Sequence, residues 1–361
     1  MTGLRPKTGI QQIKAHMLTA AGNDLPTPRI LLNSNESAYG PCPGAVQAAT
    51  AATSNLGRYL ENPGDLLGPA LARQHDLDRD CIAVGNGSDD LLARLARAYL
   101  EEGSEMIRSR NGYLKTPNYA HANNATPVSV DDDNFTTSVD AILTAVTDQT
   151  RMVYIANPEN PAGSYLPGNE IRRLHRGLPD HVLLVLDCAY EEYVDAEDYE
   201  PGSRLASEAS NVVVTHTFSK IYGLAGARVG WLYGHRDIID MVRRIGLTFP
   251  LSTPAVAAAL AALEDRQHLR QVFEANRKLR DAFTSSMQAL GLRVYPSQTN
   301  FVLVEFEADG SAARCAEFLS RRGIAVRRFA SPAYDNCIRV TIGFEHEMQI
   351  AQQAIGEFLK R

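Results

Sequence analysis

The stretch Val212-Val213-Val214-Thr215-His216-Thr217-Phe218-Ser219-Lys220-Ile221-Tyr222-Gly223-Leu224-Ala225-Gly226-Ala227-Arg228 decides the fold. Its β-branched opening, residues 212–214, reads as a buried strand of the kind a parallel sheet contains. Lys220 falls just beyond the end of that strand, flanked by the hydroxyls of Thr217 and Ser219 and followed by Arg228 after two glycines. The hydroxyls and the guanidinium suit a phosphate, and the lysine amine stays free to condense with an aldehyde. A lone Ser-Lys pair is ordinarily a helix start with a solvated tip. The reading therefore rests on what accompanies it.

Working outward, short β-rich runs at residues 81–84, 152–155 and 181–186 alternate with helical patterns at 91–100, 168–175 and 238–245. That alternation predicts an α/β domain with a mostly parallel buried sheet, whose ligands bind beyond the carboxyl ends of the strands. After residue 265 the pattern changes. A long charged helix over 265–290 stops at Gly291, and strand-like runs at 301–304 and 338–342 enclose a helix near 312–322, with another helix closing the chain. This predicts a smaller α+β domain. The division expected is an N-terminal segment 1–35 joining the small domain or a partner subunit, a large domain 36–265 and a small domain 266–361.

The 361 residues are 44% hydrophobic and 22% charged, with a net charge of −6, a globular composition with no basic stripe for nucleic acid. The opening residues 1–14 lack the apolar core of a signal peptide. The longest uncharged stretch, 245–263, is broken by Pro250 and Pro254 and reads as a turn followed by a buried alanine-rich helix over 255–263, not a membrane span. The five cysteines are scattered, with no Cys-x-x-Cys pair, which argues against disulfides or zinc and for a reducing, cytoplasmic setting. No metal site is expected. The acidic run Asp131-Asp132-Asp133 reads as a solvated loop.

Other motifs stand at strand ends. Gly85-Asn86-Gly87-Ser88-Asp89-Asp90 joins a strand to a helix, where close backbone approach and free N–H groups suit a phosphate, although Ser88 or Asp89 could equally be only a cap. Asp187 ends a buried run and needs a partner there; a protonated pyridine nitrogen would be one, and a helix cap would be another. Tyr190 follows on the same turn. Asn157-Pro158-Glu159-Asn160-Pro161-Ala162-Gly163 forms a rigid turn, from which Asn160 can reach a phenolate oxygen. Tyr113, in a loop, can stack on an aromatic ring or simply pack.

Taken in order, these motifs resemble the pyridoxal-phosphate enzymes of fold type I in the class I/II aminotransferase superfamily, and most closely the histidinol-phosphate aminotransferases. The resemblance spans residues 30–360. Besides the motifs above it is carried by Asn33-Ser34-Asn35-Glu36-Ser37-Ala38-Tyr39-Gly40-Pro41, Gly57-Arg58-Tyr59, Ser297-Gln298-Thr299-Asn300-Phe301 and Ile338-Arg339-Val340-Thr341-Ile342-Gly343. It implies that Lys220 holds pyridoxal 5'-phosphate covalently and shuttles a proton. Asp187 would keep the pyridine nitrogen protonated, and Asn160 and Tyr190 would hold the ring oxygen. Tyr113 would stack on the ring. Gly87, Ser88, Thr217, Ser219 and Arg228 would bind the phosphate, and Asp89 would stand with them in the cofactor site. Tyr59 would reach the cofactor of a second subunit, so a homodimer with shared active sites is implied. Arg339 would hold the substrate anion, with Arg327, Asn35 and Tyr39 at the same end.

Several positions depart from that family. Residues 7–12 lack its Pro-Tyr, Arg58-Tyr59-Leu60-Glu61 stands for Arg-Tyr-Pro-Asp, Asn111-Gly112-Tyr113 for Pro-Thr-aromatic, and Phe249-Pro250-Leu251 for aromatic-Asn-Val. The departures lie where substrate is read, not where cofactor is held. The expected activity is transfer of an amino group from histidinol phosphate, or from a specialised-metabolism amine or amino acid, to a 2-oxo acid. The alternative on the same scaffold is a decarboxylase of the threonine-phosphate type. A sensor domain of a transcription regulator is disfavoured because no DNA-binding segment fits before the first motif. A catalytically dead relative is disfavoured because Lys220, Asp187, Asn160, Tyr190 and Arg228 are all present.

Overall fold

The central strands are the most deeply buried part of the chain, and their parity sets the direction of everything functional. The computed structural model describes residues 4–13 and 29–361. In chain order its strands are β1 (Ile30–Leu32), β2 (Ile82–Gly85), β3 (Glu105–Ser109), β4 (Thr126–Val130), β5 (Thr150–Ala156), β6 (Leu183–Asp187), β7 (Val212–Thr217), β8 (Gly230–Gly234), β9 (Arg293–Val294), β10 (Phe301–Glu305), β11 (Ile324–Val326) and β12 (Cys337–Thr341). Its α-helices are α1 (Pro43–Ala52), α2 (Pro63–His75), α3 (Ser88–Tyr99), α4 (Thr116–His121), α5 (Val139–Ala145), α6 (Gly168–Gly177), α7 (Gly202–Glu208), α8 (Arg236–Arg244), α9 (Thr253–Glu264), α10 (Arg266–Ala289), α11 (Ser311–Arg321) and α12 (Glu345–Leu359).

The main sheet has the order β2-β8-β7-β6-β5-β3-β4. It is parallel except at β8, which runs antiparallel to both β2 and β7. Helices cover both faces, which is why β6 and β7 are buried along their whole length and why 183–186 and 212–214 read as unbroken apolar runs. Side chains alternate between the faces. Val153, Ile155, Leu184, Leu186, Val212 and Val214 enter one core, and Met152, Tyr154, Leu183, Val185 and Val213 enter the other. By that alternation Tyr154, Asp187, Thr215 and Thr217 project from the same face as the second set.

Two sequence expectations shift at their edges. The strand predicted from residue 181 starts at Leu183 because the Val182 N–H closes a turn on Pro179 O (2.9 Å). The acidic loop is not merely solvated. Asp132 accepts hydrogen bonds from Ser109 Oγ (2.9 Å) and from the Asn111 N–H (3.0 Å), tying down the loop that carries Tyr113.

Beyond α9 a second core forms around Phe283, Met287, Val302, Val304, Ile338 and Val340. It lies against an antiparallel sheet, β12-β10-β9, and a parallel pair, β1-β11. Asp265 caps α10 through the His268 N–H (2.9 Å), and Gly291, at φ 81°, follows its end. Much of the segment 1–35 lies outside the described residues. Of the remainder, Thr8–Gln12 sits against α4 and bonds the turn after it, Gly9 N–H to Asn124 Oδ1 (3.0 Å), and Ile30–Leu32 pairs with β11. Among the described residues no helix is long and apolar enough to cross a membrane.

Candidate active site

At the carboxyl ends of β5, β6 and β7 lies a cavity of 260 Å³. Its wall includes Ser88, Asp89, Tyr113, Asn160, Asp187, Tyr190, Thr217, Ser219, Lys220 and Arg228, so the sequence motifs converge on one space.

Asp187 is the last residue of β6, in register with Ala156 of β5 and Thr215 of β7. Its carboxylate accepts from Tyr154 Oη (2.8 Å) and Thr215 Oγ1 (3.1 Å). Burial raises its pKa to about 6, against the pull of those two hydrogen bonds. A cationic N–H placed against it would restore the charged form. Sequence reasoning missed both hydroxyls, yet a tyrosine inside the apolar run at 152–155 was a signal, since a buried phenol needs a partner.

Tyr190 sits at the turn after β6. Its hydroxyl oxygen accepts from Asn35 Nδ2 (2.9 Å) and Asn160 Nδ2 (3.5 Å). With its acceptor positions occupied by amides, the phenolic O–H is left to donate into the cavity. The Lys220 amine lies 5.5 Å from the Tyr190 ring centroid.

The opposite end is built for an anion. Thr217 Oγ1 and Ser219 Oγ are 3.0 Å apart, and Arg228 Nη1 donates to Ser219 Oγ (3.1 Å). Arg228 is itself left-handed, φ 54°. Gly87, at φ 81°, immediately precedes α3 and lies so close to Arg228 that a Cβ there would overlap the guanidinium. Gly230 leaves the same kind of clearance, since its Cβ would come within 2.5 Å of the Ser88 N. Close backbone approach, a helix N-terminus, paired hydroxyls and a guanidinium are what a phosphate ester requires. Asp89 points away from that role. It takes hydrogen bonds from Lys115 Nζ (2.8 Å) and Tyr119 Oη (2.5 Å), and a longer one from Tyr113 Oη (3.5 Å). It therefore props the aromatic wall.

Arg339 of β12 is 5% exposed. It donates to Asn160 Oδ1 (2.6 Å) and to Asn33 O (2.9 Å), and its Nε has no partner. Phe301 and Phe329 flank the guanidinium at 5.0 and 5.3 Å, and burial lowers its pKa to about 10. A buried guanidinium parked on two neutral carbonyls is short of an anion. Arg327 pairs with Arg339 through the backbone while its guanidinium lies 5.8 Å from the Phe329 ring centroid. Asn35 reaches the site through Tyr190. Tyr39 does not join it; it is 37% exposed and packs edge-on against Phe344. Tyr59 is also away from this cavity, 76% exposed and stacked on Phe249 at 4.2 Å.

On the other face of the sheet, Cys188, Glu191 and His216 bring donor atoms within 4.8 Å of one another. Glu191 already accepts from Tyr199 Oη and the Gly202 N–H, so the group reads as a buried hydrogen-bonding cluster.

The protein-family model described as aminotransferase class I and II matches residues 27–355. A histidinol-phosphate aminotransferase of Rhodospirillum centenum is 44% identical over 361 residues, covering all of both chains. One from Nitrobacter winogradskyi is 43% identical over 91% of each chain. Among solved structures, the histidinol-phosphate aminotransferase of Sinorhizobium meliloti in complex with pyridoxal 5'-phosphate superposes with a TM-score of 0.88 at 32% identity, covering 92% of this chain and 91% of that one.

Proposed function

This chain belongs to the aminotransferase class I and II family, and from that premise we propose that histidinol phosphate is its amino donor and a 2-oxo acid its acceptor, in a homodimer. It is a pyridoxal-phosphate-dependent aminotransferase. When bound, the cofactor supplies an aldehyde carbon to receive the amino group and a protonated ring to take up the electron pair left at the donor's α-carbon. The chain's own residues do the rest. Lys220 would hold the cofactor covalently and, once freed by the donor amine, would take the donor's α-proton and deliver it to the carbon that receives the amino group. Asp187 keeps the ring nitrogen protonated, with Tyr154 and Thr215 holding its carboxylate. Tyr190 and Asn160 hydrogen-bond the ring oxygen, and Tyr113 covers the ring. Thr217, Ser219, Arg228 and the turn Gly87-Ser88 hold the cofactor phosphate. The reading divides the chain near residue 265, so that the small domain delivers Arg339 to a site otherwise built on the large one.

The observation that carries the choice of substrate is Arg339, buried and lacking an anion. Histidinol phosphate has no carboxylate and the 2-oxo acid has no phosphate. One buried guanidinium, free to pair with either, can serve both halves of a two-stage reaction. Arg327 adds positive charge at that end. Nothing in the comparisons favours decarboxylation.

The dimer reading rests on Tyr59. A tyrosine so exposed, stacked on Phe249 that is itself 41% exposed, suits contact with a second copy better than contact with water. Sedimentation should give a dimer, and Tyr59→Phe should weaken cofactor binding without changing that assembly.

The substrate test is the absorption spectrum of the cofactor-loaded protein as histidinol phosphate is added without any oxo acid. Loss of the yellow band in favour of the amino form of the cofactor supports the donor. A protein that stays yellow rejects it, and the search then moves to other phosphorylated or carboxylated amines.

A further inference from the structure

We infer that Glu159 is a positioning residue that holds the two walls of the cofactor slot at a fixed spacing. This rests on the cofactor reading above, but not on the identity of the substrate.

Glu159 sits inside the turn 157–163, where its side chain is aimed inward and is 4% exposed. Its backbone N–H donates to Ser164 O (2.7 Å) and its carbonyl accepts from the Gly163 N–H (2.8 Å), so the turn fixes where the side chain starts. One carboxyl oxygen, Oε1, then accepts two backbone N–H groups, that of Asn160 at 3.0 Å and that of Tyr113 at 3.0 Å. These are the backbones of the amide that bonds Tyr190 and of the aromatic wall, brought from loops after β5 and β3. No other hydrogen bond joins these two loops directly among the described residues.

The surroundings are shaped to this carboxyl. Gly112 faces its second oxygen, and a Cβ there would lie 2.6 Å from Oε2. Arg108, also 4% exposed, donates to Gly112 O (3.0 Å) and places positive charge near the group. Burial raises the Glu159 pKa to about 8, against the pull of Arg108 and of the two backbone N–H groups that Oε1 accepts. A backbone N–H buried without an acceptor is costly, so removing the oxygen should release both loops. The family-like asparagine position, Asn160, would then keep its side chain but lose its anchorage.

The test uses the cofactor alone. Full-length Glu159→Gln, Glu159→Ala and Gly112→Ala proteins are titrated with pyridoxal 5'-phosphate, reading the dissociation constant and the induced circular dichroism of the bound cofactor. Glutamine keeps the acceptor oxygen and should stay within about twofold of wild type. Alanine leaves two part-buried N–H groups without their acceptor, and the dissociation constant should rise roughly tenfold or more, with a weakened dichroic band. Gly112→Ala keeps the glutamate but displaces it, and should move both readouts in the same direction. If Glu159→Ala lowers thermal stability while leaving affinity and dichroism at wild-type values, the residue only supports the turn and the inference fails. It also fails if Glu159→Gln is as impaired as Glu159→Ala. A wrong amino donor would leave all of these readings unchanged.

Discussion

Asp187→Asn in the cofactor-free protein offers a quantitative check on the electrostatics of the site. In the folded apoprotein burial holds the Asp187 carboxyl at about 6, against 3.8 for an ordinary aspartate. The neutral form is favoured by folding. The stabilisation from this group is therefore fully present below pH 3.8, declines as pH rises, and is lost above about pH 6. A shift of roughly two pK units corresponds to about 3 kcal/mol of stability forfeited at neutral pH. For a chain of this length that is a melting shift of roughly 4 °C. Asparagine is nearly isosteric, can still bond Tyr154 and Thr215, and does not titrate. The apo Asp187→Asn protein should then melt higher than apo wild type at pH 7.5, and the gap should shrink steadily toward pH 4.5. Loading with cofactor should reverse the order, because the ring nitrogen would find its carboxylate only in the wild type. Differential scanning fluorimetry of both proteins, with and without cofactor across that pH range, reads all four curves. A gap of constant size at every pH would refute the linkage and reduce the mutation to a packing change.

Three further outcomes are expected. Lys220→Ala should abolish turnover and leave a cofactor that dialyses away; full activity in this variant would overturn the assignment of the covalent lysine. Gly87→Ala places a side chain at φ 81° against Arg228 and should weaken cofactor binding on the order of tenfold or more, measured by absorbance titration, with little change in KM for the donor at saturating cofactor. Arg339→Gln should lower kcat/KM for the phosphorylated donor and for the oxo acid alike, each roughly a hundredfold from the loss of charge-assisted bonds; a loss confined to one substrate would show that the two anions use different cations.

The chemistry was legible because it is local. Asp187 ends a buried strand, Lys220 and Asn160 stand just past two others, and strand plus polar terminus is a pattern a linear sequence displays. The order of the main strands and helices after Gly291 was legible from the same kind of local pattern. What stayed hidden depends on neighbours. β8 (Gly230–Gly234) carries glycines at both ends and little strand signal, yet it separates β2 from β7. Helices α1 and α2 begin at prolines and mix glycine with alanine, so their periodicity is faint and their packing against α9 decides them. Tyr154 and Thr215 meet Asp187 only through sheet register. Glu159 looked like a turn residue because the second backbone it serves lies 46 positions away. Tyr39 was placed at the substrate end by its motif, and Phe344 draws it elsewhere.

The sheet order has a consequence for how the protein is made. β2, which leads directly into the Gly87 turn, has β8 as its sole neighbour in the sheet among the described residues. On the ribosome β8 emerges on the order of 150 residues later, a wait of roughly ten to thirty seconds at ordinary translation rates. Through that interval an apolar strand edge stands open, and edges of that kind recruit other chains. Arg339 arrives later still. The cofactor pocket is thus among the last things the chain can complete, so pyridoxal phosphate cannot shield that edge during synthesis, and supplying it then should raise the yield of soluble enzyme no more than the same amount added at release.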